Sequence, residues 1–452
     1  MFKHLRDSLC CAVALAAAIG TSCLARAEDK SIWEREQLTG DWNGKRTALK
    51  DKGYEFGLVY IGETLAILSG GLRRGTTFEG RLEASVQITE PALWKGATIF
   101  AKAYNIHNAR GLNAADYVGS ISDPSNIDAL PTTRLFTAWY QQEFGKSFSI
   151  RAGQLAADDE FITSSTAGGL INGTFGWASI LAANLPSGGP AYPLATPGLR
   201  VQINPTENIS ILGAVFSGDP AGRNCNDIPQ ACNRYGTTFS TDGGAFWIGE
   251  IQYLRNQEKD SKGLATAYKL GSWYHSGSFA DQRLGFDATG AIVSQATGVD
   301  PLFRRGNWGV YGVIDQMLWR GDAGSFSVFG RAGGSPSDRN LLSYYIDGGF
   351  GVKGLFNRPD DTLTFGVAYN KISKDASGLD QDLLALNGPP QPIRNSEVVF
   401  ELSYMYQVAP WWIVQPDVQY IVRPGGNVAH PDDANSTVGN AFVFGARSTI
   451  VF

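Results

Sequence analysis

The chain has 452 residues, with 38 basic against 43 acidic side chains for a formal net charge of −5, and 12 % of its residues are aromatic. That acidic balance excludes the basic footprint a nucleic-acid-binding protein needs. Its 54 glycines, about 12 % of the chain against a usual ~7 %, suit a protein made of strands and turns.

Lys3 and Arg6, an apolar run from Leu9 to Ile19 and the triplet Ala25-Arg26-Ala27 form the three regions of a secretory signal peptide, with cleavage expected after Ala27. The run is too short for a spanning helix, which needs ~20 apolar residues. A lipoprotein signal at Cys23 is disfavoured, because Gly20-Thr21-Ser22 supplies no large aliphatic residue at the start of the motif. Removing 1–27 takes away three basic residues and one acidic residue, so the net charge moves from −5 to −7. No later stretch offers the ~18 consecutive apolar residues of a membrane helix.

Residues 28–53 read as a short periplasmic lead-in, too small for a core of its own. Thr39 is placed to cap a short helix through Asn43 to Lys50, with Gly53 as its stop. From Tyr54 to Phe452 the pattern changes to period two. In Phe78 to Thr89, Phe78, Leu82, Ala84, Val86 and Ile88 share one face, while Glu79, Arg81, Glu83, Ser85 and Gln87 share the other. Val398 to Val408 and Trp412 to Val422 repeat the alternation, and weaker copies run at 199–204, 208–216, 246–254, 264–275 and 361–369. Soluble strands average ~5–6 residues, whereas a tilted membrane strand needs ~9–11. Segments of the latter length predict an all-β fold: a transmembrane antiparallel β-barrel, apolar outside and polar within.

On that reading Arg81, Glu83, Arg151, Arg200, Glu250, Glu401, Asp417 and Arg447 take the polar, lumen side of their strands. The stretch 156–197 lacks alternation and is rich in Gly, Ser and Pro. Loops that long usually serve a function. It either folds into the lumen and narrows it, presenting Asp158, Asp159, Glu160, Phe161, Phe175, Trp177 and Tyr192, or stays a solvated outer loop. Cys225 and Cys232 sit in a polar turn of an exported chain and read as a loop disulfide. A redox or metal pair is disfavoured by their spacing and the lack of a nearby histidine.

An enzyme would have to use what is present. Asp158-Asp159-Glu160 are adjacent, and neighbours rarely face each other across a scissile bond. Gly349 to Gly354 matches the dinucleotide fingerprint but no helical pattern follows. His107, His275 and His430 have no metal-ligand spacing. No enzyme, cofactor or metal is expected.

The final segment, Ala441 to Phe452, sets Phe442, Phe444, Ala446, Ile450 and Phe452 against Gly445, Arg447 and Thr449. A strand of this kind ending in Phe resembles the terminal signature by which outer-membrane barrels engage their assembly machinery. Further pieces run in order along the chain: Leu38-Thr39-Gly40-Asp41-Trp42-Asn43-Gly44 with Arg46; Arg151 to Phe161; Leu185 to Pro193; Asp315-Gln316-Met317-Leu318-Trp319; and Trp412 to Tyr420 with Pro424-Gly425-Gly426. Together they resemble the carbohydrate-selective porin family of the OprB type. Asn43 departs from the Gly expected there, though Asn tolerates the same turn.

The resemblance implies a single barrel of about 16 strands in the outer membrane of a Gram-negative bacterium, with short periplasmic turns and longer outer loops. It implies passive, carbohydrate-selective diffusion of small sugars such as glucose, with outer-membrane lipid and lipopolysaccharide as surroundings. A general porin, a non-transporting structural barrel, and the choice between monomer and homotrimer stay open at this point.

Overall fold

A lipid setting demands that every backbone N–H and C=O find a partner within the chain, which strands achieve only by closing on themselves. The computed structural model, which describes residues 30–222, 224–258 and 261–452, shows that closure. The expected signal segment, 1–27, lies outside the described residues. The sixteen barrel strands are β1 (Tyr54–Gly71), β2 (Gly75–Ile88), β3 (Ala97–Asn108), β4 (Thr132–Phe144), β5 (Phe148–Leu155), β6 (Thr196–Thr206), β7 (Ile209–Ser217), β8 (Ala245–Arg255), β9 (Thr266–Phe286), β10 (Pro301–Arg320), β11 (Ser325–Gly334), β12 (Leu342–Lys353), β13 (Thr362–Ile372), β14 (Ser396–Ala409), β15 (Trp412–Val422) and β16 (Gly439–Val451). Each pairs antiparallel with the next, and β16 returns to β1 through a register from Val59↔Val451 to Gly71↔Gly439. A short strand, Ile292–Ser294, adds to the end of β9, and Ala429–His430 pairs with Asp433–Thr437 as a separate ribbon.

The alternation read from the sequence appears as lipid and lumen faces. Phe400, Leu402 and Phe444 are exposed on the outer wall, while Glu401, Ser403 and Arg447 beside them are buried inside. Strands β9 and β10, of 21 and 20 residues, run well beyond the ~9–11 that a membrane crossing needs. They stand above the long-loop end of the barrel.

The short lead-in helix is α1 (Lys45–Asp51). Thr39 does not cap it, because Gly44 with φ +83° intervenes. Instead the Asp41 carboxylate accepts from Thr47 N–H at 2.8 Å and Thr47 Oγ1 at 2.9 Å, and Thr39 Oγ1 accepts from Trp42 Nε1 at 3.1 Å. Asn43 has φ +57° and Gly53 φ +84°, the left-handed geometry for which Asn and Gly are suited. This segment lies along the short-turn end of the barrel: Leu38 N–H donates to Val451 O and Arg46 Nη2 to Phe452 O, both within 2.9 Å. A 14-residue helix, α2 (Lys374–Asn387), sits between β13 and β14 at the opposite end. The sequence reading did not anticipate it, since its apolar residues form no clear stripe.

The lumen is not uniformly wet. From β7 to β12 its wall carries Leu212, Phe246, Trp273, Tyr311, Phe329 and Tyr345, all buried, and they form one core with apolar residues of 156–195. Gly366 on β13 allows this approach, as a Cβ there would come within 2.5 Å of Leu170 Cδ1.

Phe444 faces lipid near the middle of β16, opposite Ala66 and Val418. Phe444→Arg should cost about 2–4 kcal/mol, the depth-dependent penalty for a lipid-facing cation, whereas Phe444→Leu should be close to neutral. Urea unfolding of the protein in lipid vesicles measures both.

Candidate pore constriction

Strand β5 ends at Leu155, and the chain turns inward for residues 156–195 before β6 begins. Short helical turns at Ala157–Asp159, Ala167–Gly169, Gly173–Gly176, Ser179–Ala182 and Pro186–Gly188 carry it. Such a path leaves backbone groups without secondary-structure partners, and the lumen wall supplies them. Ile162 N–H donates to Glu250 Oε2 on β8 at 2.9 Å. Ile171 and Asn172 N–H donate to the two oxygens of Glu401 on β14 at 2.5 and 3.0 Å. Asp315 on β10 accepts from Thr166 N–H at 2.8 Å, Thr166 Oγ1 at 2.7 Å and Ser164 Oγ at 2.6 Å.

Carbonyls are met in the same way. Arg331 of β11 donates to Ile162 O at 3.1 Å, Gly176 O at 3.0 Å and Thr174 O at 2.9 Å, while its Nε lies 3.0 Å from Asp347 Oδ2 on β12. Both members of this ion pair are fully buried, a placement tolerated only when every donor is used. Ile162 itself has φ +56°, a left-handed backbone that costs a non-glycine residue about 1–2 kcal/mol. It is held there by Glu250 on its N–H and Arg331 on its carbonyl.

A second loop, 109–131, enters beside the first. Glu397 of β14 accepts from Ile121 and Ser122 N–H at 2.7 and 2.9 Å, and from Gly425 N–H at 2.8 Å. Arg447 of β16 pairs with Glu63 of β1 at 2.6 Å and donates to Asn126 Oδ1 at 2.7 Å. Asn126 N–H then donates to Ile171 O at 2.7 Å, tying the two loops together.

What stays open lies between these loops and β2 to β5. The Arg81 guanidinium sits over the rings of Tyr104 and Tyr192, 4.7 and 4.9 Å from their centroids, with Glu83 at 3.9 Å. Lys102 stands 3.9 Å from Asp159. Arg151 lies over Trp139 at 4.0 Å and 3.3 Å from Glu160, which Arg200 also approaches at 3.1 Å. Side-chain exposures of 14 % for Arg81, 26 % for Glu83, 17 % for Arg151 and 36 % for Asp159 show that solvent reaches this rim. Toward the long-loop end Asp123 accepts from Gly173 N–H through its backbone carbonyl at 2.8 Å and keeps its side chain exposed within the loop cluster. Desolvation by the crowded loops around it, with Asp116 nearby, pushes its carboxyl up to about 6. Asp158 accepts from Tyr192 N–H at 2.9 Å, and burial together with Asp159 pushes it up to about 7. Burial, with Glu79 and Asp123 adding to it, raises Asp128 well above the ordinary carboxylate range.

The sequence-predicted residues therefore divide. Arg81, Glu83, Arg151, Asp159, Glu160 and Tyr192 come together at the open rim. Arg200, Glu250, Glu401, Asp417 and Arg447 point inward as expected but are at most 7 % exposed, sealed beneath the inserted loops. Arg200, Glu250, Glu401 and Arg447 hold those loops, Asp417 accepts from Gln419 Nε2 at 3.0 Å beneath them, and none of the five faces a solute. Phe161, 1 % exposed, belongs to the packed core. Trp177 leans on that core and donates from Nε1 to Gly188 O at 3.0 Å. Phe175 is buried against Phe329.

Lys102, Tyr104, Phe136 and Trp139 were missed because the lumen faces of β3 and β4 mix aromatic with polar side chains, which blurs the two-residue alternation. Arg331 and Glu397 were missed because nothing local marks an anchor. Cys225 and Cys232 are joined by a disulfide, in a loop whose Tyr235 carbonyl accepts from Leu135 N–H on the edge of β4 that β5 leaves free.

A family model described as carbohydrate-selective porin, OprB family, matches residues 79–452. Porin B of Pseudomonas aeruginosa is 26 % identical, with 96 % of this chain and 95 % of that protein covered. The putative porin QuiX of Acinetobacter baylyi is 24 % identical, covering 93 % of this chain and 95 % of its own. The high-pH structure of Pseudomonas putida OprB superposes with a TM-score of 0.81 at 24 % identity, over 94 % of this chain and 100 % of that one, which shows the fold.

Glu401→Leu leaves two buried loop N–H groups unpaired, at ~1–3 kcal/mol each. The inserted loop should loosen, and unit conductance in planar bilayers should rise and become noisier. Lowering the pH from about 8 to about 5 should protonate Asp123 and Asp158, since a raised carboxyl pKa brings proton uptake into that range. The pore wall then loses negative charge and any preference for cations declines, read as a shift in reversal potential. The doubly substituted Asp123→Asn, Asp158→Asn protein should show a smaller shift.

Proposed function

This chain belongs to the carbohydrate-selective porin OprB family, a family of outer-membrane channels, and from that premise we propose that it admits small neutral sugars such as glucose by passive diffusion into the periplasm. The observation that carries the reading is the charge balance of the rim. Arg81, Lys102 and Arg151 stand against Glu83, Asp159 and Glu160, each cation paired with a carboxylate and each lying over an aromatic ring. A balanced rim sets no large electrostatic barrier or trap for an uncharged solute.

Its groups can still exchange hydrogen bonds with hydroxyls as a sugar passes. Guanidinium groups donate in a fixed plane, carboxylates accept, and the half-buried rings of Tyr192 and Trp139 present apolar C–H edges to the C–H faces of a sugar. Weak contacts at several points allow entry without trapping, which conduction requires. The anchored loops keep this aperture narrow, so size is filtered by the same elements. Cleavage after Ala27, entry into the membrane through the assembly machinery by β16, surroundings of lipopolysaccharide, and a monomer or homotrimer belong to this same reading.

Liposome swelling with the refolded mature chain tests it, comparing glucose, a disaccharide and an amino acid of similar mass. Faster entry of glucose than of the amino acid is expected; equal entry would make the protein a general porin, and no entry through an intact barrel would rule out transport. Arg81→Ala should raise the half-saturating glucose concentration roughly tenfold, equivalent to one charged hydrogen bond of ~1.5 kcal/mol.

A further inference from the structure

Below the inserted loop, toward the short-turn end and on the wall opposite Arg81, the lumen holds a recess of about 330 Å³. Its existence follows from side-chain size. Higher on the same strands, Tyr311, Phe329 and Tyr345 fill the lumen. Lower down, the inward positions of β9, β11 and β12 are Ala267, Ser325, Ser327 and Gly351, and the space stays empty. The roof is the tip of the inserted loop, 164–169, pinned by three hydrogen bonds to Asp315 and by Gln415 Nε2 donating to Gly169 O at 3.1 Å.

We propose that this recess is a second sugar subsite, occupied after a solute has passed the constriction. The inference rests on the sugar-porin reading and adds a place of residence to it. Three features point to a neutral polyol. First, the lining is dense in hydroxyls, from Ser165, Ser325, Ser327 and Thr362, and among the described residues none of these donates to a protein acceptor; the Thr364 Oγ1 beneath them is buried without a partner. Second, the thioethers of Met317 and Met405 give it apolar pads, so that ring C–H groups and hydroxyl edges can both be met. Third, Asp315 on its wall already accepts three hydrogen bonds from the roof and is not free to hold a cation, while Lys353, the last residue of β12, is exposed at its lower edge, where its ammonium can donate to a hydroxyl. The volume is at the lower end of small-molecule sites, suited to a monosaccharide.

Thiol protection on the mature full-length chain tests this, because its only native cysteines are joined as Cys225–Cys232. Ser327→Cys places a reporter in the recess and Ser85→Cys places one on the constriction wall. Each is modified by a water-soluble maleimide with glucose, with glycine, or with neither. Glucose should slow modification at Ser327→Cys in a saturable way, roughly threefold at about twice the dissociation constant, and glycine should not. Protection at Ser85→Cys alone would overturn the recess site and leave the sugar-porin reading standing. Protection at neither position would overturn the recess site, and swelling by glucose would then decide the sugar-porin reading by itself. Thr362→Cys, across the same recess, gives the same readout where Ser327→Cys does not fold.

Discussion

The structure depends on one kind of contact: a carboxylate on a lumen-facing strand position accepting backbone N–H groups from a loop that has left the wall. Glu250, Glu397, Glu401 and Asp315 each do this, and Arg331 does the converse for three carbonyls. A loop drawn into a barrel carries peptide groups into a region where water is scarce, and each one left unpaired costs ~1–3 kcal/mol. The strands cannot supply partners from their own backbones, because those are consumed in the ladder. Charged side chains at inward positions are the remaining source, and charge-assisted bonds are the stronger kind.

This arrangement divides the lumen by function. From β7 to β12 the wall and the inserted segment form a packed apolar core, so that half of the barrel is closed by ordinary burial. From β2 to β5 the wall stays wet, and the charged groups left there are paired across a short gap. A wide barrel thus acquires a narrow aperture without extra strands, because one loop fills the excess and another fixes its position. The short length of β5 belongs to the same design: it frees the chain to turn inward, and the disulfide-bearing loop covers the edge of β4 that is exposed as a result.

The barrel was legible because its rule is local. Two-residue alternation over Phe78 to Thr89 or Val398 to Val408 follows from strand geometry alone, and segment length then separates a membrane strand from a soluble one. The inward direction of Glu250, Glu401, Asp417 and Arg447 was equally legible, as register is fixed wherever one face must be apolar. Their task was not. A lumen residue lines a pore or pins a loop depending on whether another part of the chain lies over it, and for Glu401 that part is Ile171 and Asn172, more than two hundred positions away.

The sequence by itself determined the class, the closure into a membrane barrel, the faces of its strands and the presence of one long irregular insertion, because these rest on periodicity and composition. Only the tertiary structure decided where the aperture lies and which charges border it. Arg81 reaches solvent and Arg200 does not, though both are arginines at inward positions of neighbouring walls. The difference is the path of residues 156–195 across the lumen, and that path is set by contacts between positions far apart in the chain, which no local pattern encodes.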